Sequence, residues 1–254
     1  MSEVTEWQVQ SARVTTFFLG GENPDPSGFW DRVVGTDPDE EHKFASSGQF
    51  HQIGIFGEWQ LQLSIQPERL DWTISIPVRS KDSQDILDAS LSGRPLDSAF
   101  DVINDLGVKW MEICPATRRL ALGAVLVQPV EDRKSGYSRL SEYLRGVEID
   151  AVNSTDLNYQ INRPRQSNVL PGLTLNRLSK WGVVVAGLLR MAVTPGDRIT
   201  PRTSMEHGSS AMRLELDLST DGNRTDELPN SDLPSLLKEL IDLGKEIAAS
   251  GDVP

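Results

Sequence analysis

Residues 59–77 read WQLQLSIQPERLDWTISIP and predict a β-hairpin. Apolar and polar residues alternate on both sides of Pro67-Glu68-Arg69, which supplies the turn. Successive strand side chains point to opposite faces, so each arm has one apolar face for a core and one polar face for water. The apolar set is Leu61, Leu63 and Ile65 before the turn and Leu70, Trp72, Ile74 and Ile76 after it.

Further strands are predicted on both sides of this hairpin. Residues 7–19, 52–56, 119–127, 156–162 and 212–218 have the β-branched, apolar or alternating composition of strands. Residues 169–193 are ambiguous. Val183-Val184-Val185 favours a strand in their second half, whereas the spacing of Leu175, Leu178 and Trp181 suits a helix.

Two amphipathic helices are predicted near residues 97–113 and 233–249, with Asp97 and Asp232 as their N-caps. A shorter segment, residues 137–144, has apolar residues at helical spacing. Residues 20–50 and 194–210 are rich in Pro, Gly and polar residues and predict long loops, the first with one helical turn at residues 29–34.

These elements predict an α+β fold, a mostly antiparallel sheet covered by helices. Asp105-Leu106-Gly107 in the first helix matches Asp242-Leu243-Gly244 in the last, which favours two pseudo-repeated β-rich halves, although coincidence explains three matching residues equally well. The halves would be residues 1–128 and 129–254. One continuous domain is the alternative, since 254 residues suit either arrangement.

The charge of the chain limits its partners. It has 37 acidic and 25 basic residues, a net charge of −12, and such a field repels nucleic acid and anionic membranes. The single cysteine, Cys114, excludes an internal disulfide and favours a reducing compartment. Residues 1–10 lack a signal-peptide pattern, and the longest apolar run is too short for a membrane helix. We therefore expect a cytoplasmic protein.

No strong catalytic or cofactor motif occurs in the sequence. The three histidines have no metal-binding spacing, and phosphate-binding glycine loops and a nucleophile elbow are missing. Asp25 with Glu41-His42-Lys43, or Asp132 with Lys134, gives only a partial nuclease pattern. No metal or cofactor is predicted.

The chain resembles a sporadically distributed, uncharacterised prokaryotic protein family across most of residues 55–250. The resemblance rests on the hairpin LQLSIQPERLDWTIS, the strand RLALGAVL, the segment RLSEYL, the strand MRLELDLST and the helix LLKELIDLGKEI. Only Gln66-Pro67-Glu68-Arg69 approaches a motif. The chain departs from the family in its N-terminal loop and in Leu126-Val127-Gln128, where the family has an aromatic residue and Asn. The resemblance supports a fold and implies no reaction.

The candidate binding residues are Trp30, Trp59, Glu68 and Arg69. Trp30 and Trp59 flank loops or strand ends, where an indole could anchor a partner or pack beneath a loop. The leading hypothesis is a non-catalytic protein that binds a macromolecular, protein partner, as an accessory or antitoxin-like component of a mobile or defence locus. A homo-oligomer is compatible with it. The alternatives are a metal-dependent hydrolase or nuclease acting on phosphoesters and a small-ligand sensor with a cleft between the halves.

Overall fold

A computed structural model describes residues 6–19, 28–44, 46–77, 91–192 and 202–253 of the chain. It confirms the hairpin: β4 (Trp59–Gln66) and β5 (Arg69–Ser75) are antiparallel neighbours, with Leu63 opposite Trp72. The tight turn places Glu68 at a φ of 60°, in the left-handed region. Leu61, Leu63 and Ile65 are buried, as are Leu70, Trp72 and Ile74, so the alternation correctly assigns the core face of both arms.

The described residues form one antiparallel sheet in the order β2-β3-β4-β5-β1-β7-β11-β10-β8, in which β6 also pairs with β1 and β9 with β10. Strands from both sides of residue 128 belong to this sheet. The remaining strands are β1 (Gln8–Phe18), β2 (Glu40–Phe44), β3 (Gln49–Phe56), β6 (Arg94–Pro95), β7 (Thr117–Val130), β8 (Asn158–Asn162), β9 (Arg165–Gln166), β10 (Thr174–Ala192) and β11 (Arg202–Thr220).

The helices of the described residues all pack on the same face of the sheet. They are α1 (Phe29–Val34), α2 (Leu96–Met111), α3 (Arg133–Tyr143) and α4 (Leu233–Ser250). In α2, Trp110 donates from Nε1 to Oγ1 of Thr16, and in α4, Gly244 lies against Leu216 and Leu218. The core therefore lies between this face and the helices, and the broad α+β prediction is confirmed. Among the described residues, none of the helices has both the length and the apolar composition needed to cross a membrane.

Several local predictions need correction. Asp97 lies inside α2, whose N-cap is Pro95, and Asp232 occupies the N-cap of α4 without a side-chain capping bond. The predicted first loop contains the helical turn α1 as expected but also the strand β2. Residues 174–192 are strand throughout, and β11 begins at Arg202, within the predicted second loop, because the two strands pair with each other along their length. Residues 20–27 and 193–201 lie outside the described residues.

Two repeated halves are not seen in the described part of the chain. The two glycines that suggested the repeat occupy points of close packing. A β-carbon on Gly107 would lie 2.3 Å from Cδ2 of Leu237 in α4, and one on Gly244 would lie 3.4 Å from both Leu216 and Leu218. Each helix thus has a glycine where it approaches another element.

Candidate functional site

We call the sheet face that points away from the helices of the described residues the open face. Strand register places alternate residues there, because residues directly opposite each other point to the same side. Its central side chains are Ser11, Arg13, Thr15, Arg69, Asp71, Thr73, Arg119, Val125, Gln160, Leu178, Lys180, Arg213, Glu215 and Asp217. At one end, Leu91 packs with Val127 and Ala211, and no helix of the described residues packs on this face.

A groove of about 450 Å³ crosses the strands at the centre of the open face. One row of residues in register across five strands lines it: Thr73, Arg13, Gly123, Asp217 and Leu178. The adjacent row contributes Ser11, Val125, Glu215, Lys180 and Gln160. The groove therefore offers cations, anions and neutral hydrogen-bonding groups within one surface.

Gly123 leaves the groove floor without a side chain. Arg13 lies over this position, since its Nη2 is 3.4 Å from the place where a β-carbon on Gly123 would lie. Asp217 stands opposite Gly123 on the next strand and is exposed. A cation and an anion thus flank a bare stretch of β7, which allows a bound backbone or small side chain to approach the strand closely.

Asp71 holds the basic side chains beside the groove in place. It is only 4% exposed, and it accepts hydrogen bonds from the hydroxyl of Thr15 and from Nε and Nη2 of Arg69 at 3.1 and 3.0 Å. Nε of Arg13 lies 3.6 Å from Oδ1 of the same carboxylate. One buried anion therefore orients two guanidinium groups, which lowers the entropy lost when a ligand orders them.

Phe17 extends this basic cluster toward β7. The guanidinium carbons of Arg69 and Arg119 lie 5.6 and 4.8 Å from the centre of its ring, within cation–π range. Arg119 also donates from Nη2 to Oγ of Ser219 at 3.0 Å. Both arginines are therefore held extended against the sheet.

The open face differs in charge from the chain as a whole. On the six strands from β5 to β8, its described side chains include five basic residues (Arg13, Arg69, Arg119, Lys180 and Arg213) and three acidic ones (Asp71, Glu215 and Asp217). The chain carries −12. The acidic excess therefore lies outside the open face. The open face itself is the surface best suited to bind charged groups of either sign.

The structure does not bring the four sequence-predicted binding residues together. Trp30 and Trp59 are 2% and 4% exposed and lie in the core. Their burial corresponds to the alternative in which the indole packs inside the protein and does not anchor a partner. The ring of Trp30 is tilted by 41° to that of Trp72, with 5.8 Å between their centres, and Trp30 fits beside Gly54, whose missing side chain makes room for it. Glu68 lies in the hairpin turn and accepts a hydrogen bond from Arg118 at 3.1 Å. Only Arg69 lies on the open face.

The candidate catalytic residues have structural partners instead. Asp132 is the N-cap of α3, and its pKa lies below the ordinary value because the backbone N–H of Ser135 donates to it. His42 pairs with Glu40 at the sheet edge. Burial raises the pKa of the Cys114 thiol. Within the described ranges, no group of three or more His, Cys, Asp and Glu side chains could hold a metal ion, and Asp25 lies outside those ranges.

Comparison with family models, curated proteins and solved structures gives no match for the chain. Sequence analysis missed Arg13, Gly123 and Asp217. Their one local signal was a position on the polar side of an alternating strand, which many surface residues share.

Proposed function

We propose that this protein is a non-catalytic binding protein that takes a segment of a partner polypeptide in the groove of its open face. The observation that carries the proposal is the groove itself: two rows of residues, aligned by strand register, cross the sheet over a floor opened by Gly123. All helices of the described chain lie on the other face. The partner would contact a preformed, rigid surface.

The mixture of charges favours a polypeptide over nucleic acid. Glu215 and Asp217 lie in the centre of the groove, between Arg13 on one side and Lys180 on the other. A phosphate backbone would meet these carboxylates and the net charge of −12, both of which repel it. A polypeptide can place a basic side chain near the carboxylates of Glu215 and Asp217 and acidic side chains near Arg13 and Lys180. This arrangement gives charge complementarity along the groove.

The groove walls also carry neutral groups that suit a peptide backbone. Ser11, Thr73 and Gln160 provide hydroxyl and amide groups for hydrogen bonds to peptide N–H and C=O groups. Leu178 and Val125 add apolar surface between them. This composition resembles that of protein interfaces, whose polar parts commonly surround a smaller apolar centre.

Quantitative affinity capture from the native host tests the proposal. The tagged full chain is compared with the double variant R13Q/K180Q. K238Q is the control, because Lys238 lies on the exposed side of α4, outside the groove. We expect one protein to be recovered in stoichiometric amount with the wild type and with K238Q, and at least tenfold less of it with R13Q/K180Q. Equal recovery with the double variant, at unchanged thermal stability, would overturn the groove as the binding site.

The same preparation tests the hydrolase alternative. Phosphoesterase activity that requires Mg²⁺ or Mn²⁺ and is lost in D132A would favour catalysis over partner binding. The capping role of Asp132 predicts the opposite: D132A weakens the start of α3 and leaves any activity of the sample unchanged. Glu131→Ala, one residue earlier, is the matched control.

A further inference from the structure

The strand β2 forms one end of the sheet and has no strand on its outer side among the described residues. Its sequence is Glu40-Glu41-His42-Lys43-Phe44, and all five residues are exposed. Its inner side pairs with β3, with His42 opposite His51. An unpaired strand edge presents a row of backbone N–H and C=O groups that another strand can bind.

We propose that a second copy of this chain docks on β2 by antiparallel strand addition, centred on His42. When the outer edges of two identical strands pair antiparallel, a two-fold axis perpendicular to the sheet relates them. The register must then be centred on a single residue, because directly opposite side chains point to the same face. Within β2 the central registers place residue 41, 42 or 43 at the axis.

Charge selects the register among these three. Centring on residue 41 places Glu41 opposite Glu41 of the second copy, and centring on residue 43 places Lys43 opposite Lys43. Centring on His42 instead places Glu41 opposite Lys43 twice, once on each side of the axis. Opposite charges in directly opposed positions stabilise a strand pair and like charges destabilise it. The sequence of β2 is therefore complementary to itself in one register.

Both partners of this contact are accessible to solvent, and each also contacts β3: Glu41 accepts a hydrogen bond from Nε2 of Gln52 at 3.0 Å, and Nζ of Lys43 lies 5.4 Å from the centre of the Phe50 ring. Glu41 and Lys43 already pair within their own strand at 3.0 Å, with side chains 43% and 70% exposed, so this ion pair is hydrated and weak. The second copy adds a cross-strand partner to each. The exposed Phe44 lies opposite Glu40 of the second copy, whose methylene groups can cover part of its ring. The axis keeps both open faces on the same side of the joined sheet.

Sedimentation velocity of the full chain at low salt, over a range of concentrations, tests the proposal. E41K places Lys opposite Lys43, and K43E places Glu opposite Glu41, each twice per dimer. We expect about tenfold weaker self-association for either variant, and recovery in the double variant E41K/K43E, in which the charges are exchanged and again complementary. D242K is the control, because Asp242 lies on the exposed side of α4, and this variant should dimerise like the wild type.

A monomeric wild type across the range, or a double variant no better than the single ones, would overturn the proposal. Disulfide formation tests the register separately. Cys in place of His42 would face its own copy at a Cα separation of about 5 Å, within the range for a disulfide, whereas Cys in place of Glu40 would not. We expect covalent dimers from H42C and not from E40C under mild oxidation; equal yields would contradict this register. Cys114 is buried and contributes little background.

Discussion

Arg13 lies directly over Gly123, with its Nη2 3.4 Å from the position that a β-carbon on Gly123 would take. The contact joins the central strands β1 and β7 on the open face and defines the floor of the groove. A glycine inside a strand weakens the strand, so its presence here is best explained by the space that it leaves.

Gly123→Val should therefore separate binding from stability. Valine favours extended backbone and pairs well across strands, so the melting temperature should stay equal or rise slightly. The added side chain fills the floor and displaces the Arg13 guanidinium, and partner recovery should fall at least tenfold. Thermal unfolding and quantitative capture measure the two effects. Gly146→Val, at a position with open space around it, serves as the control; unchanged capture by Gly123→Val would contradict the proposed groove.

Asp71→Ala should destabilise the fold by about 3 kcal/mol, because it leaves Thr15 and Arg69 without their buried acceptor. Asp71→Asn keeps one acceptor oxygen and should cost less. Urea unfolding at pH 7 measures both. Asp217→Ala is the matched control on the same face, since Asp217 is exposed, and it should change the unfolding free energy by no more than about 0.5 kcal/mol. Equal losses for Asp71→Ala and Asp217→Ala would refute the anchoring role of Asp71.

A cluster of ion pairs at the end of α4 should make the free energy of unfolding depend on pH in the acidic range. Hydrogen bonds from Arg163 and Tyr159 lower the pKa of Asp252 below its ordinary 3.8, and those from Arg165 lower the pKa of Glu246 below 4.5. A carboxyl whose pKa is lower in the folded state stabilises the protein above its unfolded pKa, and this contribution is lost as the pH falls through the folded value. Stability should therefore fall below about pH 4.

Asp252→Asn removes one of these carboxylates. The variant should be less stable than the wild type at pH 7, and the difference should shrink as the pH falls through the lowered pKa of Asp252. Urea unfolding at several pH values from 2 to 7 follows the two curves. A constant difference between them across this range would show that Asp252 acts by packing and not by its charge. Asp226→Asn, in a loop away from the cluster, provides the comparison.

The local fold was predictable where periodicity alone determines the structure. Leu61, Leu63 and Ile65 lie on the core face because alternate side chains of a strand share a face, and α2 and α4 follow their apolar stripes. The order of the strands was not predictable. β1 lies between β5 and β7, and no local pattern in its residues specifies those distant neighbours.

The candidate site depends on that order. Arg13, Gly123 and Asp217 are far apart in sequence and meet only because β1, β7 and β11 are adjacent. The burial of Trp30 likewise depends on a distant residue, because its indole occupies the space beside Gly54. Aromatic residues near loops look alike in sequence whether they are exposed or buried. The sequence therefore indicated Trp30 and Trp59 as candidates without indicating that they are buried.

Gly251 ends α4 at a position where no other residue fits. Its φ is 78°, and a β-carbon there would lie 2.0 Å from the carbonyl oxygen of Tyr143, a backbone atom held by the amide of Asp252 at 3.0 Å. Gly251→Ala should therefore destabilise the protein by about 3 kcal/mol or more, since both the conformation and the contact oppose it. Gly107→Ala meets only the flexible end of Leu237 and should cost less, about 1 to 2 kcal/mol. Urea unfolding of both variants gives the comparison, and a larger loss for Gly107→Ala would mean that the chain after α4 does not pack against Tyr143.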